Sequence, residues 1–274
     1  MIDDTARRKF QGTVRKYYET HGRHDLPWRC PEPDGSFDPY KITVSELMLQ
    51  QTQVGRVIPK YEAFLRRFPS LQALAAAPSG EVLRAWNGLG YNRRARFLQQ
   101  AAQQIVLDNN GHFPESANEL IKLPGIGAGT AGAILAYVFD RPAVFVETNI
   151  RTVFIHHFFH NQTGISDKAI LELLQQTLPK EGRNREWYWA LMDYGAYLKQ
   201  SVGNLNHRSR SYAKQSKFEG SKRQLRGRVI RALAQHAYTK ADLSSLLADE
   251  RLPDVLADLL AERLIIKRGQ SFSL

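Results

Sequence analysis

The chain has 274 residues and a formal net charge of +11, and it is long enough to form two lobes with separate cores. Its single cysteine, Cys30, excludes an internal disulfide and any metal or iron-sulfur site made of four cysteines. No apolar run approaches the roughly 20 residues of a membrane span, and the N-terminus lacks the apolar core of a secretory signal, so the sequence predicts a cytoplasmic protein without membrane contact. The charge favours a polyanionic partner, nucleic acid first, which would place the protein on the nucleoid; a basic solvated surface is the alternative.

Helical spacing of apolar residues dominates the chain as far as residue 200. The first predicted helix, 10–20, is followed by an irregular proline-rich loop, 26–39, and by a long helix that starts at Ile42. Shorter helices separated by proline and glycine are predicted at 59–68, 71–76, 79–89 and 93–109. A compact apolar helix and three further helices are predicted at 130–139, 150–159, 167–178 and 187–198.

The composition changes after Lys199. Residues 201–223 form a basic stretch that predicts a linker across a phosphate backbone, although its first half could equally be a disordered solvated run. Residues 224–274 contain three helical segments and a terminal hairpin that turns near Arg268-Gly269. This order predicts a winged-helix-like module, which could bind DNA or pack on a neighbouring domain.

A glycine-rich turn joins two helices at residues 123–130. A capping box, Ser116-x-x-Glu119, opens the first helix, which is predicted to end near residue 123, and the compact apolar helix is the second. Gly125, Gly127 and Gly129 leave no side chains at the tip, so backbone N–H groups and a helix N-terminus can approach a phosphate. With a carboxylate shortly beyond it, this turn indicates an enzyme that acts on nucleic acid.

Six short motifs lie on both sides of the turn. They are Leu26-Pro-Trp-Arg29, Asp38-Pro-Tyr-Lys41, Ser45-Glu-Leu-Met-Leu-Gln-Gln-Thr-Gln-Val54, Trp86-Asn-Gly-Leu-Gly-Tyr91, Leu123-Pro-Gly-Ile-Gly-Ala-Gly-Thr-Ala-Gly132 and Leu191-Met-Asp-Tyr-Gly-Ala196. Over roughly residues 5–200 the chain resembles the helix-hairpin-helix DNA glycosylases, and within them the MutY-type adenine glycosylases. The resemblance implies a mostly α, two-lobed helix-hairpin-helix glycosylase domain, 1–200, with the active site between its lobes. It also implies an enzyme that flips a base, adenine in a mismatch first, out of duplex DNA and hydrolyses its N-glycosidic bond.

The resemblance implies which residue protonates the departing base. Glycosidic cleavage requires protonation of the base and stabilisation of an oxocarbenium-like sugar. Glu46 matches the family's general acid, although a helix carboxylate could simply be solvated. Its neighbours Met48 and Leu49, together with Trp28, would desolvate this carboxyl and raise its pKa.

Glu147 stands where the family has an aspartate, while Asn149 matches, so the usual Asp-Gly-Asn is Glu-Thr-Asn here. One extra methylene moves a carboxylate by about 1.5 Å, and a misplacement of about 1 Å can cost roughly 100-fold in rate. Either the pocket suits glutamate or the chemistry has changed; Glu147 could also merely cap the following helix. Gly129 fills the position of the Schiff-base lysine in bifunctional relatives, which predicts a glycosylase without lyase activity.

Other residues match family positions around the flipped nucleotide. Trp28, Arg29 and Asp193 match the base pocket, although Asp193 could instead be a buried hydrogen-bond partner at a helix end. Gln51 matches the residue that enters the vacated duplex, and Tyr91 the wedge beside the opposite base; packing on the core is the alternative for Tyr91. Further DNA contacts are expected from Gln50, Lys122, Gly125, Gly127, Ala128, Gly129, Lys217 and Arg226.

Two family features are missing from the sequence. Residues 199–207, where relatives usually have four cluster cysteines, contain none, so no iron-sulfur cluster is expected and the basic stretch would take over its DNA contacts. The family also has a larger C-terminal domain, which reads oxidised guanine opposite adenine; here the winged-helix-like module is expected in its place.

No metal is expected, since His156, His157 and His160 fit packed or surface positions, and the resemblance implies at most a monovalent cation at the hairpin carbonyls. The expected partner is double-stranded DNA, bound by a monomer. The alternatives are removal of thymine, uracil or a modified purine, and non-catalytic binding of DNA lesions.

Overall fold

The computed structural model describes residues 2–180 and 182–274, and most of this part of the chain is helical. The α-helices, in chain order, are α1 (Asp4–His21), α2 (Pro39–Leu49), α3 (Val54–Arg67), α4 (Leu71–Ala76), α5 (Ser79–Trp86), α6 (Arg93–Asp108), α7 (Ala117–Leu120), α8 (Ala128–Phe139), α9 (Thr148–Phe158), α10 (Asp167–Thr177), α11 (Asn184–Ser201), α12 (Lys222–Leu233), α13 (Lys240–Leu247) and α14 (Leu252–Ala261). The described residues also form 3-10 helices at Pro27–Arg29 and Leu205–Arg208 and the strands β1 (Tyr238–Thr239), β2 (Ile266–Arg268) and β3 (Ser271–Ser273). The predicted mostly α fold is confirmed.

The chain forms two compact units that alternate along the sequence. The first unit contains Met1–Ile42, Glu115–Ile121 and Ile126–Lys214, and the second contains Thr43–Pro114, Lys122–Gly125 and Gln215–Leu274. The second unit includes the whole predicted C-terminal module, and the predicted domain limits at residues 200 and 223 stay predictions. Among the described residues, no helix combines the length and apolar character that the core of a lipid bilayer demands.

Aromatic side chains fill the core of the first unit. The ring of Phe10 on α1 lies 5.4 Å from that of Phe154 on α9 and 5.9 Å from that of Trp187 on α11, and all three side chains are buried. Helix α1 begins at Asp4, six residues before the predicted start at residue 10, because the Asp3 carboxylate accepts a hydrogen bond from the Ala6 amide and caps the helix.

The second unit has its own aromatic core between α3 and α5. The ring of Phe64 on α3 lies 6.0 Å from that of Trp86 on α5, and both side chains are fully buried. Helix α3 begins at Val54 rather than at Pro59, where it was predicted to start. Proline lacks an amide proton and crowds the carbonyl of the residue four positions earlier, which for Pro59 is Gly55. The helix nevertheless continues through Pro59, with one hydrogen bond fewer.

The C-terminal module has the three helices and terminal hairpin that the sequence predicts. Strands β2 and β3 are antiparallel, and β1, which was not predicted, pairs with the other side of β3 through Tyr238 and Phe272. The order α12, β1, α13, α14, β2, β3 is that of a winged helix. A capping box between Thr239 and Asp242 fixes the passage from β1 into α13.

The first half of the basic stretch is ordered within the first unit. Buried Asn206 donates a hydrogen bond from Nδ2 to the Thr152 hydroxyl (2.8 Å). The Nε of Arg208 donates to the carbonyl of Gln162 (2.7 Å). These contacts contradict the disordered alternative for this half, because each fixes the segment to α9 or to the loop that follows it.

Candidate active site

The N-terminus of α8 has the geometry of an anion site. Gly127 is the N-cap residue and makes no side-chain capping bond, and both Gly127 and Ala128 are exposed. Amides in the first turn of a helix have no acceptor within the helix, so those of Ala128 and Gly129 can bind a phosphate.

The turn before α8 also requires glycine, although α7 ends at Leu120 rather than near residue 123. Gly125 has a φ of +79°, and a Cβ there would lie 2.7 Å from the Cβ of Phe97. A side chain at this position would therefore be strained as well as obstructed.

Glu147 lies beside this helix N-terminus. A Cβ placed on Gly129 would be 3.4 Å from its Oε1, so the carboxylate faces the first turn of α8. Glu147 holds the N-cap position of α9 but makes no side-chain capping hydrogen bond, and the cap alternative stays a prediction. Burial raises the pKa of the Glu147 carboxyl, and the charge of Arg151 and the Thr148 amide only partly offset this.

Close packing of α9 against α11 fixes Asn149. A Cβ on Gly195 of α11 would lie 2.2 Å from the carbonyl oxygen of Asn149 and 2.9 Å from its Cβ. The glycine of the Leu191–Ala196 motif therefore sets the distance between the two helices. Because Glu147 and Asn149 both lie at the start of α9, Gly195 determines where they sit.

The structure brings Arg29 and Asp193 together. Asp193 is buried and accepts hydrogen bonds from Nη1 and Nη2 of Arg29 (2.8 and 3.0 Å) and from the Arg23 amide (2.8 Å). Burial alone raises the pKa of Asp193, but the bonds and charges of Arg29 and Arg23 outweigh it and hold this pKa below its usual value. These contacts favour the alternative that Asp193 is a buried hydrogen-bond partner. A direct contact between Asp193 and a base stays a prediction.

The Arg29 side chain is held from a second side as well. Its guanidinium lies 5.3 Å from the ring centroid of Trp189 on α11, a cation–π arrangement. Trp28, its neighbour on the 3-10 helix Pro27–Arg29, is buried. The two predicted pocket residues are thus rigidly held, and their contact with a flipped base stays a prediction.

In the second unit, Glu46 lies on α2 between buried Ser45 and Leu47 and is itself partly buried. Gln50 and Gln51 follow the end of this helix. Gln51 has a φ of +54° and is exposed.

Tyr91 follows Gly88 and Gly90, has a φ of +47° and is 36 % exposed. Its exposure argues against the alternative that it packs wholly on the core. The left-handed backbone region is strained for side chains other than glycine, and such strain concentrates at functional sites. Tyr91 shares this feature with Gln51, the other residue predicted to enter the duplex.

Arg94 connects these two loops, and the sequence analysis missed it. Its guanidinium is buried and donates seven hydrogen bonds of 2.5 to 3.4 Å. The acceptors are the Thr52 hydroxyl and the carbonyls of Leu47, Met48, Gln50, Leu89, Gly90 and Tyr91. Burial lowers the pKa of Arg94 to about 10, so it stays charged at neutral pH. The loop that carries Gln51 and the loop that carries Tyr91 are held by one side chain.

The predicted basic contacts differ in their surroundings. Lys122 and Lys217 are exposed. Arg226 donates to Glu262 (2.5 Å) and lies 3.9 Å from Asp258, so its charge is already neutralised within the C-terminal module. Contact between Arg226 and DNA stays a prediction, and a DNA phosphate would have to compete with Glu262 and Asp258 for this guanidinium.

Comparisons with known proteins agree with this arrangement. Residues 44–180 match the family described as HhH-GPD superfamily base excision DNA repair protein. The chain is 32% identical over 266 residues to the adenine DNA glycosylase of Mycolicibacterium smegmatis, with 89% of each covered. It is 40% identical over 192 residues to the adenine DNA glycosylase of Buchnera aphidicola subsp. Baizongia pistaciae. The aligned region covers 69% of this chain but only 52% of that relative. The chain thus spans about half the length of the Buchnera relative.

Solved structures show the same fold. A thermostable thymine-DNA glycosylase is similar with a TM-score of 0.59 and 26% identity, over 70% of this chain and 87% of that one. An endonuclease III in a non-covalent DNA complex has a TM-score of 0.54 and 19% identity, over 72% of this chain and 86% of that one. The hairpin, the fold and the family match together show that the chain belongs to the HhH-GPD superfamily of base excision DNA repair proteins.

Proposed function

We propose that this protein is a monofunctional DNA glycosylase that removes adenine from mismatched duplex DNA. The observation that carries the proposal is the Glu147 carboxylate, desolvated and facing the exposed N-terminus of α8. A phosphate held there would place a sugar near a carboxylate suited to stabilise its positive charge. The relatives named adenine DNA glycosylase support adenine as the base.

The proposed reaction assigns one role to each group. The α8 amides bind a DNA phosphate while Gln51 and Tyr91 enter the duplex and the adenine leaves the stack. Glu46 protonates N7 of adenine, the glycosidic bond breaks with its electron pair going to the base, and Glu147 stabilises the sugar cation. Water adds to the sugar carbon and loses a proton, which returns to the Glu46 carboxylate and restores the acid, and an abasic site remains. The enzyme would act as a monomer on the nucleoid.

The same proposal covers cofactors. The single cysteine cannot bind a four-thiolate cluster, so we expect catalysis without one. The only ion we expect is a monovalent cation at the hairpin carbonyls.

A panel of duplexes tests the proposal. Each carries one mismatched or damaged base, is incubated with the protein and is then treated with hot alkali, which cleaves abasic sites. We expect cleavage at adenine in a mismatch. Because the thymine-DNA glycosylase is structurally similar, the panel includes thymine opposite guanine. Tight binding without cleavage at any base would contradict an enzymatic role.

Glu46→Gln is expected to lower base release by at least about 100-fold while DNA affinity is retained, because the amide cannot deliver a proton. Single-turnover release and fluorescence anisotropy measure the two properties. Glu62→Gln, an exposed position on α3, is the matched control and should leave both unchanged. An active Glu46→Gln protein would mean that the acid is another residue.

Gly129→Lys is expected to cleave strands without alkali. Within 4 Å, the added Cβ would contact only the Glu147 carboxylate, so the side chain fits and its amine starts beside the reacting sugar. Borohydride should trap the imine formed with that sugar. Gly129→Met supplies similar bulk without an amine and should not be trapped; trapping of wild-type protein would contradict the monofunctional assignment.

Glu147→Gln is expected to abolish base release and yet raise the Tm at pH 7.5. Because burial raises the pKa of this carboxyl, folding favours its protonated form. The charged form therefore costs stability once the pH rises through the folded pKa, and this cost is absent below the pKa of the unfolded chain. The Tm gain, about 2–4 °C for each kcal/mol recovered, should be present at pH 7.5 and vanish near pH 4. A lower Tm at pH 7.5 would mean that the carboxylate stabilises the fold.

A further inference from the structure

Two side chains of the segment 214–223 bind the pair of exposed residues that the proposed function places in the duplex. Nε2 of Gln215 donates hydrogen bonds to Oε1 of Gln51 (2.8 Å) and to the Tyr91 hydroxyl oxygen. Nη1 of Arg223 also donates to the Tyr91 hydroxyl (2.9 Å). All four residues belong to the second unit.

The Arg223 guanidinium also lies within cation–π distance of two exposed rings. Its guanidinium carbon lies 5.8 Å from the ring centroid of Tyr91 and 5.5 Å from that of Phe218. Phe218 is 54 % exposed, although burial would be favourable for a ring of this size. An exposed cluster of aromatic rings and a guanidinium is the kind of surface on which an unpaired base stacks.

The partners of Gln215 and Arg223 are fixed in place. Gln51 and Tyr91 both have left-handed backbones, and Arg94 binds the carbonyls of their neighbours Gln50 and Gly90. The segment therefore docks on a rigid pair. Arg223 donates from Nη1 to the Tyr91 hydroxyl and from Nη2 to the Ser216 carbonyl (3.1 Å), and a guanidinium has five N–H groups, so it has further donors beside the pair. The proposed reaction assigns no role to Gln215 or Arg223.

We propose that Arg223, positioned with Gln215, determines which base is accepted opposite the excised one. The inference rests on the proposed function: when a base leaves the duplex, its former partner is unpaired next to the inserted Tyr91. A guanidinium donates hydrogen bonds and accepts none, so it favours a base edge with two adjacent acceptors. Guanine presents such an edge at O6 and N7, whereas adenine and cytosine place an amino donor there. The opposite base selected is guanine, read at this edge.

Duplexes with a tetrahydrofuran abasic analogue test this without any chemical step. The base opposite the analogue is guanine, 7-deazaguanine (which lacks the N7 acceptor) or cytosine, and dissociation constants are measured by fluorescence anisotropy. Wild-type protein should bind the guanine duplex about 5- to 100-fold more tightly than the cytosine duplex, with 7-deazaguanine between them.

Arg223→Ala should bind the guanine and 7-deazaguanine duplexes equally, and Arg223→Lys, which keeps the charge but loses the planar fork, should recover only part of the preference. Arg231→Ala removes the same charge from an exposed position two turns further along α12 and should weaken all three duplexes by one factor.

Two results would overturn the inference. One is a wild-type protein that binds the three duplexes equally. The other is an Arg223→Ala protein whose affinity changes by the same factor for all three; a uniform gain would mean that the segment only covers Gln51 and Tyr91. Because the analogue has no base to release, this assay stands even if no base is released in the glycosylase panel, and the two proposals can fail separately.

Discussion

Replacing Gly195 with alanine is expected to lower base release by at least about 100-fold and to destabilise the fold by roughly 3 kcal/mol. The new Cβ would lie 2.2 Å from the Asn149 carbonyl oxygen, an overlap that only movement of α9 or α11 can relieve. Overpacking of this kind costs about 1–3 kcal/mol, and the cost is at the upper end here because the obstructing atoms are backbone. A shift of about 1 Å at the start of α9 would misplace Glu147, and such shifts cost roughly 100-fold in rate.

Gly12→Ala is the matched control, since a Cβ at that position on α1 meets nothing within 4 Å. Alanine there should stabilise the helix by up to about 1 kcal/mol. Urea unfolding and single-turnover release are measured for both variants. A Gly195→Ala protein with wild-type stability and activity would show that α9 and α11 are not held at this distance.

Local signals located most helices, although α1 was predicted to start six residues late despite its Asp3 cap. Helix α4 lies where it was predicted because Ser70, which precedes it, accepts a hydrogen bond from the Ala73 amide. The strand β1 was missed because it has two residues and depends on Phe272, far along the chain. A strand of this kind exists through its partner, which periodicity within one segment cannot reveal.

In the candidate site, too, the residues marked by neighbouring sequence were predicted, and the residue that depends on distant contacts was missed. The glycine turn and Glu147 were found because each is marked by a motif within a few residues. Arg94 was missed because it stands beside Arg93 and resembles a solvated pair of cations. Its seven acceptors come from the last turn of α2 and the loop that follows it, and from the turn just before Arg94. Only the tertiary fold brings them to one guanidinium.

Arg94→Met is expected to destabilise the protein by at least about 3 kcal/mol and to lower its Tm by roughly 6–12 °C. Methionine can fill much of the space but donates no hydrogen bond, and each buried acceptor left without a donor costs about 1–3 kcal/mol. The loops after α2 and before α6 would then lose the side chain that joins them, so DNA affinity should fall as well. Arg94→Lys keeps the charge with fewer donors and should be intermediate.

Arg93→Met separates this effect from the loss of a positive charge. The Arg93 side chain is 62 % exposed and lies 3.9 Å from Glu262, an ion pair worth about 0–1 kcal/mol. Unfolding of the three variants is followed by circular dichroism and DNA binding by anisotropy. If Arg94→Met were as stable as Arg93→Met, the seven hydrogen bonds would contribute nothing net. In that case the left-handed backbones of Gln51 and Tyr91 would have to be maintained by their own turns, and the rigid pair on which Gln215 and Arg223 dock would lose its physical basis.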